Sequence, residues 1–284
     1  MNTQIEDLKT KGFVVVSYPP ELRAAVNKTA ELWKEFCALE DDIKKGLPYS
    51  NNADGVGYEL KDGSGEKGDR KENFDVSIAG QKWLETHITE IHDPVVLEFI
   101  QHAISLVPLL KPLVFDFALQ VEKTYGLENF LQEVEEGEDV FFVRFIHNFE
   151  GGEVQKEITV SHCDQGGCAP HLFASSLGLQ YLPYDASLPA HDEDWKDFPV
   201  SDEETIIMSA MQMQLRSQGE LRALCHRVVA TPETAQIGRY SAVCFVQFRK
   251  TPKYDKELNG RLQMKKPGFN YSMPHEEFEK LFKK

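Results

Sequence analysis

The sequence predicts a mainly β chain with outer helices, in which a helical N-terminal third packs on an antiparallel sandwich or barrel. Beyond Gly137, short segments rich in Val, Ile, Phe and Thr alternate with turn signals at 139–147, 153–161, 171–182, 205–215, 221–230 and 239–249. That spacing belongs to antiparallel sandwiches and barrels. Ahead of Gly137 the apolar residues recur at helical spacing instead. No composition break reads as a linker. Residues 1–136 are therefore expected to form a helical region packed on a β core at 137–250, with 251–284 a C-terminal extension, all in one structural domain.

Taken in order, Phe13 to Val16 is a β-branched run closed by Pro19-Pro20, and predicts a buried strand. From Glu21, the positions Leu22, Val26, Thr29, Trp33 and Phe36 follow helical spacing until Gly46 ends the pattern. Residues 50–70, rich in Asn, Asp and Gly, predict a loop. Asp93-Pro94 is a helix start, with an N-cap before a proline at the first helical position. The stripe Val96, Ile100, Ala103, Val107, Leu110, Val114, Phe117 and Val121 runs on to Gly126, and Pro108 and Pro112 predict a kink or a split. Helical spacing returns from Pro274 to Phe282.

Composition narrows the function. A hydrophobic share of 41% with 18 Phe and 9 Tyr is enough for a well-buried core. A net charge of −15 argues against nucleic-acid partners and anionic membranes, which need Lys and Arg on the binding face. Residues 249–284 carry ten Lys/Arg against five Asp/Glu, and this basic tail reads as solvated surface. The first residues lack an apolar signal core, and the apolar region Ala103 to Leu119 is interrupted and short for a membrane span. Five cysteines without a Cys-x-x-Cys pair fit reduced thiols, so a cytoplasmic chain is expected.

The chemistry-bearing residues lie in the β half. Glu157 to Asp164 reads as a strand, which puts His162 and Asp164 on one face and Cys163 on the other. A second strand, Leu221 to Ala230, offers His226, and Cys225 points away in the same manner. Two imidazoles and a carboxylate occupy one face of an octahedron and leave the rest open, as non-haem iron(II) chemistry requires. The same ligand types also hold catalytic zinc. A rival pair, His191 and Glu193, sits in an acidic stretch without strand character and reads as a solvated loop. His87, His92, His102, His171 and His275 have no partner at ligand spacing, whereas His147 lies on a strand able to face the same cavity.

Thirteen residues beyond His226 comes Arg239-Tyr240-Ser241, with Arg and Ser on one strand face. A guanidinium fork beside a hydroxyl receives a carboxylate through charge-assisted hydrogen bonds. Alone such a triplet is a surface ion pair and a strand serine; behind a His-x-Asp and a distal His it becomes a clamp.

In this order the residues resemble the isopenicillin N synthase-like family of iron(II)/2-oxoglutarate and iron/ascorbate oxidoreductases. His162-Cys163-Asp164-Gln165-Gly166 is similar to its His-x-Asp-x-Gly, and Gly178-Leu179-Gln180 to its Gly-Leu-Gln. Cys225-His226-Arg227-Val228 is similar to its His-Arg-Val, and Arg239-Tyr240-Ser241 to its Arg-x-Ser. Upstream, Gly57-Tyr58 and Lys71-Glu72-Asn73-Phe74-Asp75 resemble its Gly-Tyr and Lys-Glu-x-Phe-Asp elements.

The resemblance implies a double-stranded β-helix (jelly roll) core. It implies Fe(II) on His162, Asp164 and His226, 2-oxoglutarate held at its distal carboxylate by Arg239 and Ser241, and hydroxylation of a small molecule. Ascorbate is a further cofactor the family implies. Two departures stand out. Asn148 occupies the place of the family tyrosine that helps bind the cosubstrate, with no proline after it, and Asp164 to His226 is a long interval, its excess assigned to the acidic loop 184–204. The alternatives are an iron oxidase of the same fold that does not use 2-oxoglutarate, and a cupin-like binding protein without catalysis. Tyr58, Phe74 and His147 are candidates to line the substrate pocket, with core packing the competing role for the two aromatics.

Overall fold

Strand alternation and helical stripes become eleven strands and eight α-helices in a computed structural model, which describes residues 5–47, 57–63, 70–77, 80–136, 141–186, 190–217 and 219–247. In chain order these are α1 (Asp7–Lys11), β1 (Phe13–Ser17), α2 (Pro20–Cys37), α3 (Asp41–Lys45), β2 (Gly57–Asp62) and β3 (Arg70–Ser77). Then follow α4 (Gly80–His87), α5 (Pro94–Tyr125), α6 (Phe130–Glu136), β4 (Phe141–Asn148), β5 (Glu157–Cys163) and β6 (Cys168–Ala174). The chain continues through β7 (Leu179–Tyr181), β8 (Lys196–Asp197), β9 (Glu204–Ser209), α7 (Met211–Arg216), β10 (Cys225–Val229), α8 (Pro232–Ile237) and β11 (Arg239–Val246).

The strands form two antiparallel sheets, a larger one ordered β1-β9-β6-β11-β4-β3-β2 and a smaller one ordered β5-β10-β7-β8. Because side chains alternate along each strand, the large sheet has two different faces. Phe74 and Val76 of β3, Phe141, Val143 and Phe145 of β4, and Ala242, Cys244 and Val246 of β11 face the helices and join their apolar cluster. Phe13, Ile206, Val243 and Phe245 turn the other way, toward Leu179 and Tyr181 of the small sheet. The edge-on contacts of Phe13 with Tyr181 and Phe198, each at 4.9 Å, tie the two layers.

The helical layer departs from the sequence reading in three places. The stripe from Leu22 ends at Cys37, and α3 is a separate helix before Gly46. Part of the expected loop at 50–70 is instead strand: β2 pairs along its length with β3, and the charges of Glu59 and Lys61 conceal it. α5 runs unbroken through Pro108 and Pro112. These prolines are four residues apart and both exposed, so the carbonyls they leave unbonded lie on the solvent side. The opposite stripe, from Val96 to Val121, stays buried and holds the axis.

Asp93 caps α5 as expected, accepting from the backbone N–H groups of Val95 and Val96 at 2.9 and 3.2 Å. By length and composition α5 could cross a membrane, but half of its most apolar window is buried inside the protein. Trp33 of α2 lies 5.4 Å from Phe99 of α5 and 6.1 Å from Phe145 of β4. The expected helix at 274–282 and the basic tail lie outside the described residues.

Candidate active site

β5 and β10 are direct neighbours, and their register sets His226 opposite His162 and Cys225 opposite Cys163. Alternation then turns both imidazoles to one side, while Asp164, just past the end of β5, comes round to the same side. Asp164 Oδ1 lies 3.5 Å from His162 Nε2, Asp164 Oδ2 lies 3.8 Å from His226 Nε2, and the imidazole centroids are 4.4 Å apart. One ligand atom from each of the three residues falls within 4.8 Å of the others.

Each ring is oriented by its own strand. His162 Nδ1 meets the Val160 carbonyl at 2.8 Å, and His226 Nδ1 the Leu224 carbonyl at 3.3 Å. A carbonyl only accepts, so Nδ1 carries the proton and Nε2 keeps its lone pair for a metal. Burial lowers the His226 pKa against the opposing pull of Asp164, which favours the neutral ligand form. Burial would push the Asp164 carboxyl up, but His226, His162 and then Arg144 outweigh it and hold the group ionised below its usual range. The turn after Asp164 is tight for a clear reason: a Cβ on Gly166 would come within 2.8 Å of the Val246 carbonyl.

The inner face of the large sheet supplies the opposite wall. Arg239 and Ser241 of β11, and Asn148 of β4, share that face, with Arg239 directly opposite Asn148. All three are buried. Arg239 Nε donates to the Ser176 carbonyl at 3.3 Å, whereas Arg239 Nη2 and both polar side-chain atoms of Asn148 are buried without a hydrogen-bond partner among the described residues. Burial lowers the Arg239 pKa to about 10, which still leaves it charged. Four residues before Asn148 on the same face of β4 is Arg144, fixed by Asp75 in a bidentate pair at 2.7 and 2.6 Å. Its guanidinium stands 5.7 Å from the Phe142 and Phe245 rings, which stack at 5.0 Å.

Tyr58, Phe74 and His147 do not line this cavity. Phe74 and Tyr58 pack in the helix-facing core. His147, one residue before Asn148, faces the helices with them: its Nδ1 donates to Glu72 Oε1 at 2.8 Å and its ring stacks on Tyr240 at 4.1 Å. Glu72 Oε2 accepts from Tyr58 at 2.6 Å and Lys44 at 2.9 Å. Cys37, Glu72 and His147 also cluster at metal-ligand separations. The Lys44 ammonium already neutralises that carboxylate, so the group reads as a buried polar network.

The rival pair stays outside the site. His191 and Glu193 are exposed, but their loop is anchored rather than loose. Arg227, next to His226, donates to Asp192 at 2.8 Å and lies 4.5 Å from the Trp195 ring.

One residue the sequence reading set aside does reach the cavity. His171 of β6 is directly opposite Val243 of β11 and Ile206 of β9, both on the inner face. Burial, then the electrostatic influence of Arg239 and His226, lower its pKa to about 3. Spacing to the other histidines gave no signal for it; the alternation of β6 against a known inner-face strand would have.

No family model and no curated protein matches the chain. Solved structures do. The dioxygenase for auxin oxidation from rice matches over 98% of this chain and 87% of its own, at TM-score 0.66 and 18% identity. Dioxygenase for auxin oxidation 1 from Arabidopsis thaliana, solved with 2-oxoglutarate, matches over 87% of both chains at TM-score 0.67 and 16% identity. A Neurospora crassa protein solved with alpha-KG and thymine matches over 88% of this chain and 80% of its own, at TM-score 0.66 and 14% identity. The chain thus has the jelly-roll fold with outer helices found in 2-oxoglutarate/iron(II) oxygenases.

Proposed function

We propose that the protein is an iron(II)- and 2-oxoglutarate-dependent dioxygenase that hydroxylates a small molecule in the cytosol. The observation that carries this reading is the pairing of an open three-ligand cluster with the buried donors of Arg239 and Asn148 that have no partner among the described residues. A bare cluster would suit several metals. A buried guanidinium and amide with unmet hydrogen bonds across the cavity call for an oxygen-rich anion. A dicarboxylate whose keto-acid end reaches the metal supplies both, and the three solved relatives include complexes with such a molecule.

When bound, iron(II) would couple decarboxylation of 2-oxoglutarate to substrate oxidation, so that 2-oxoglutarate, O2 and R–H give succinate, CO2 and R–OH. His162, Asp164 and His226 would hold the metal and leave its remaining positions open. Arg239, Ser241 and Asn148 would hold the distal carboxylate. Arg144, Asp75, Phe142 and Phe245 wall the adjoining space, where a small substrate would sit near Asp164. Nucleic acid and membrane have no part in this reading, given a net charge of −15.

The test is anaerobic addition of 2-oxoglutarate to the iron(II) protein, which should produce the visible charge-transfer band of a chelated keto acid. Oxygen consumption with ascorbate or substrate alone, and no band at saturating 2-oxoglutarate, would favour an oxidase of the same fold that does not use it. Asn148 at the family tyrosine position is the feature that favours that second reading.

A further inference from the structure

We propose that His171 is a further cosubstrate-binding residue, hydrogen-bonding an oxygen of the keto acid between the Arg239 clamp and the metal. The inference rests on the keto-acid reading above and extends it to a residue at which the sequence motifs give no signal.

Register places the side chain. His171 faces Val243 across the β6–β11 ladder, and Val243 shares its strand face with Ser241 and Arg239. Its partner on the other side is Ile206 of the inner apolar cluster. The imidazole therefore projects into the sandwich, from the strand beside the clamp. The two titratable groups that act on it are Arg239 on its own sheet and His226 on the other, one at each end of the path a bridging dicarboxylate would follow.

The side chain is enclosed by protein yet keeps some accessible surface, as a residue lining an internal cavity does. Its backbone carbonyl accepts from the Thr205 hydroxyl, but the imidazole itself makes no hydrogen bond among the described residues. Its direct partners across both ladders, Ile206 and Val243, are aliphatic and offer it no polar group. Because the ring keeps accessible surface, its polar edge can meet an oxygen of a molecule bound beside Arg239, a contact that an apolar residue at this place could not make. A neutral imidazole offers one donor and one acceptor, and the donor suits a carboxylate or keto oxygen.

The experiment is a titration of the full-length iron(II) protein with 2-oxoglutarate under anaerobic conditions, following the charge-transfer band, for wild type, His171→Leu and His171→Gln. Iron(II) affinity is measured separately by equilibrium dialysis. His171→Leu should raise the half-saturating 2-oxoglutarate about fivefold or more, the loss of one hydrogen bond. Iron(II) affinity should stay unchanged, and His171→Gln, which keeps a donor, should recover most of the difference. Absence of the band in wild type overturns the keto-acid reading itself. A wild-type band with unchanged affinity in His171→Leu overturns the role of His171 alone, as does a loss of iron(II) binding in that variant. Should the leucine variant not fold, His171→Phe gives the same comparison.

Discussion

Arg239 and Asn148 stand directly opposite each other on β11 and β4, and together present three buried polar atoms with no hydrogen-bond partner among the described residues. The expected outcome of Arg239→Leu is a rise of at least about tenfold in the 2-oxoglutarate requirement, because a charge-assisted hydrogen bond contributes roughly 1.5–3 kcal/mol. Asn148→Leu removes a single donor that carries no charge of its own and should cost less, about fivefold. Titration of the charge-transfer band reads both, and an asparagine effect larger than the arginine effect would reverse this assignment of the clamp.

That His162 gathers with Asp164, and Arg239 with Ser241, was legible because each pairing rests on alternation within a single strand. His162 and Asp164 are two residues apart, as are Arg239 and Ser241, and a strand puts such pairs on one side whatever its partners. His147 was misplaced because absolute orientation depends on which face of β4 meets the helices. That is set by distant residues: Glu72, Tyr58 and Lys44 draw His147 to the helix side, which turns Asn148 inward. The inward placement of His171 was not legible for the same reason, since it follows from its pairing with Val243 and not from its neighbours in sequence. β2 and β3 were not legible because Glu59, Lys61 and Asp62, and the run Arg70-Lys71-Glu72, break the apolar pattern that marks a strand.

Among the proposed metal ligands, His162→Ala or Asp164→Ala should abolish iron(II) binding, read by equilibrium dialysis with the fold checked by circular dichroism. Asp164→Glu should also impair turnover, because one added methylene displaces a ligand oxygen in a geometry that tolerates about 0.5 Å. Full iron occupancy in a His162→Ala/His226→Ala double variant would refute the cluster as the metal site.

Cys163 and Cys225 flank the ligands, yet they are paired across β5 and β10 and hydrogen-bonded to each other on the opposite side of the sheet. Neither is a ligand in this arrangement. Cys163→Ser and Cys225→Ser should each keep iron(II) binding and most activity. A sulfur-to-metal absorption band lost in Cys163→Ser would contradict this.

Gly238, just before Arg239, has φ +75°, and a Cβ there would lie 2.8 Å from both the Asn148 carbonyl and His147 Nε2. Gly238→Ala therefore combines a strained backbone with a shift of β4 at the clamp. It should weaken 2-oxoglutarate binding while leaving iron(II) binding intact, because the ligands belong to the other sheet. Equal losses of both affinities would point to general unfolding, which a melting curve separates.

Behind the clamp, Glu72 holds the polar network in place, and its titration gives stability a pH dependence. Burial would raise its pKa, but hydrogen bonds from His147, Tyr58 and Lys44 outweigh it and hold the carboxyl at about 2 instead of the ordinary 4.5. A folded pKa below the unfolded one means that ionised Glu72 stabilises the fold above about pH 4.5, and that this contribution is lost as pH falls toward about 2. A depression of this size corresponds to about 3 kcal/mol as an order of magnitude. Glu72→Gln should cost a comparable ~3–5 kcal/mol at neutral pH, because it leaves the Lys44 ammonium buried without its counter-charge. The variant should also lose less stability than wild type on acidification through this window. Denaturant melts of both proteins from about pH 6 to about pH 3 read the two effects together. Parallel pH profiles for the two proteins would show that Glu72 does not titrate as the network requires, and that the orientation of His147 and Asn148 is held by packing alone.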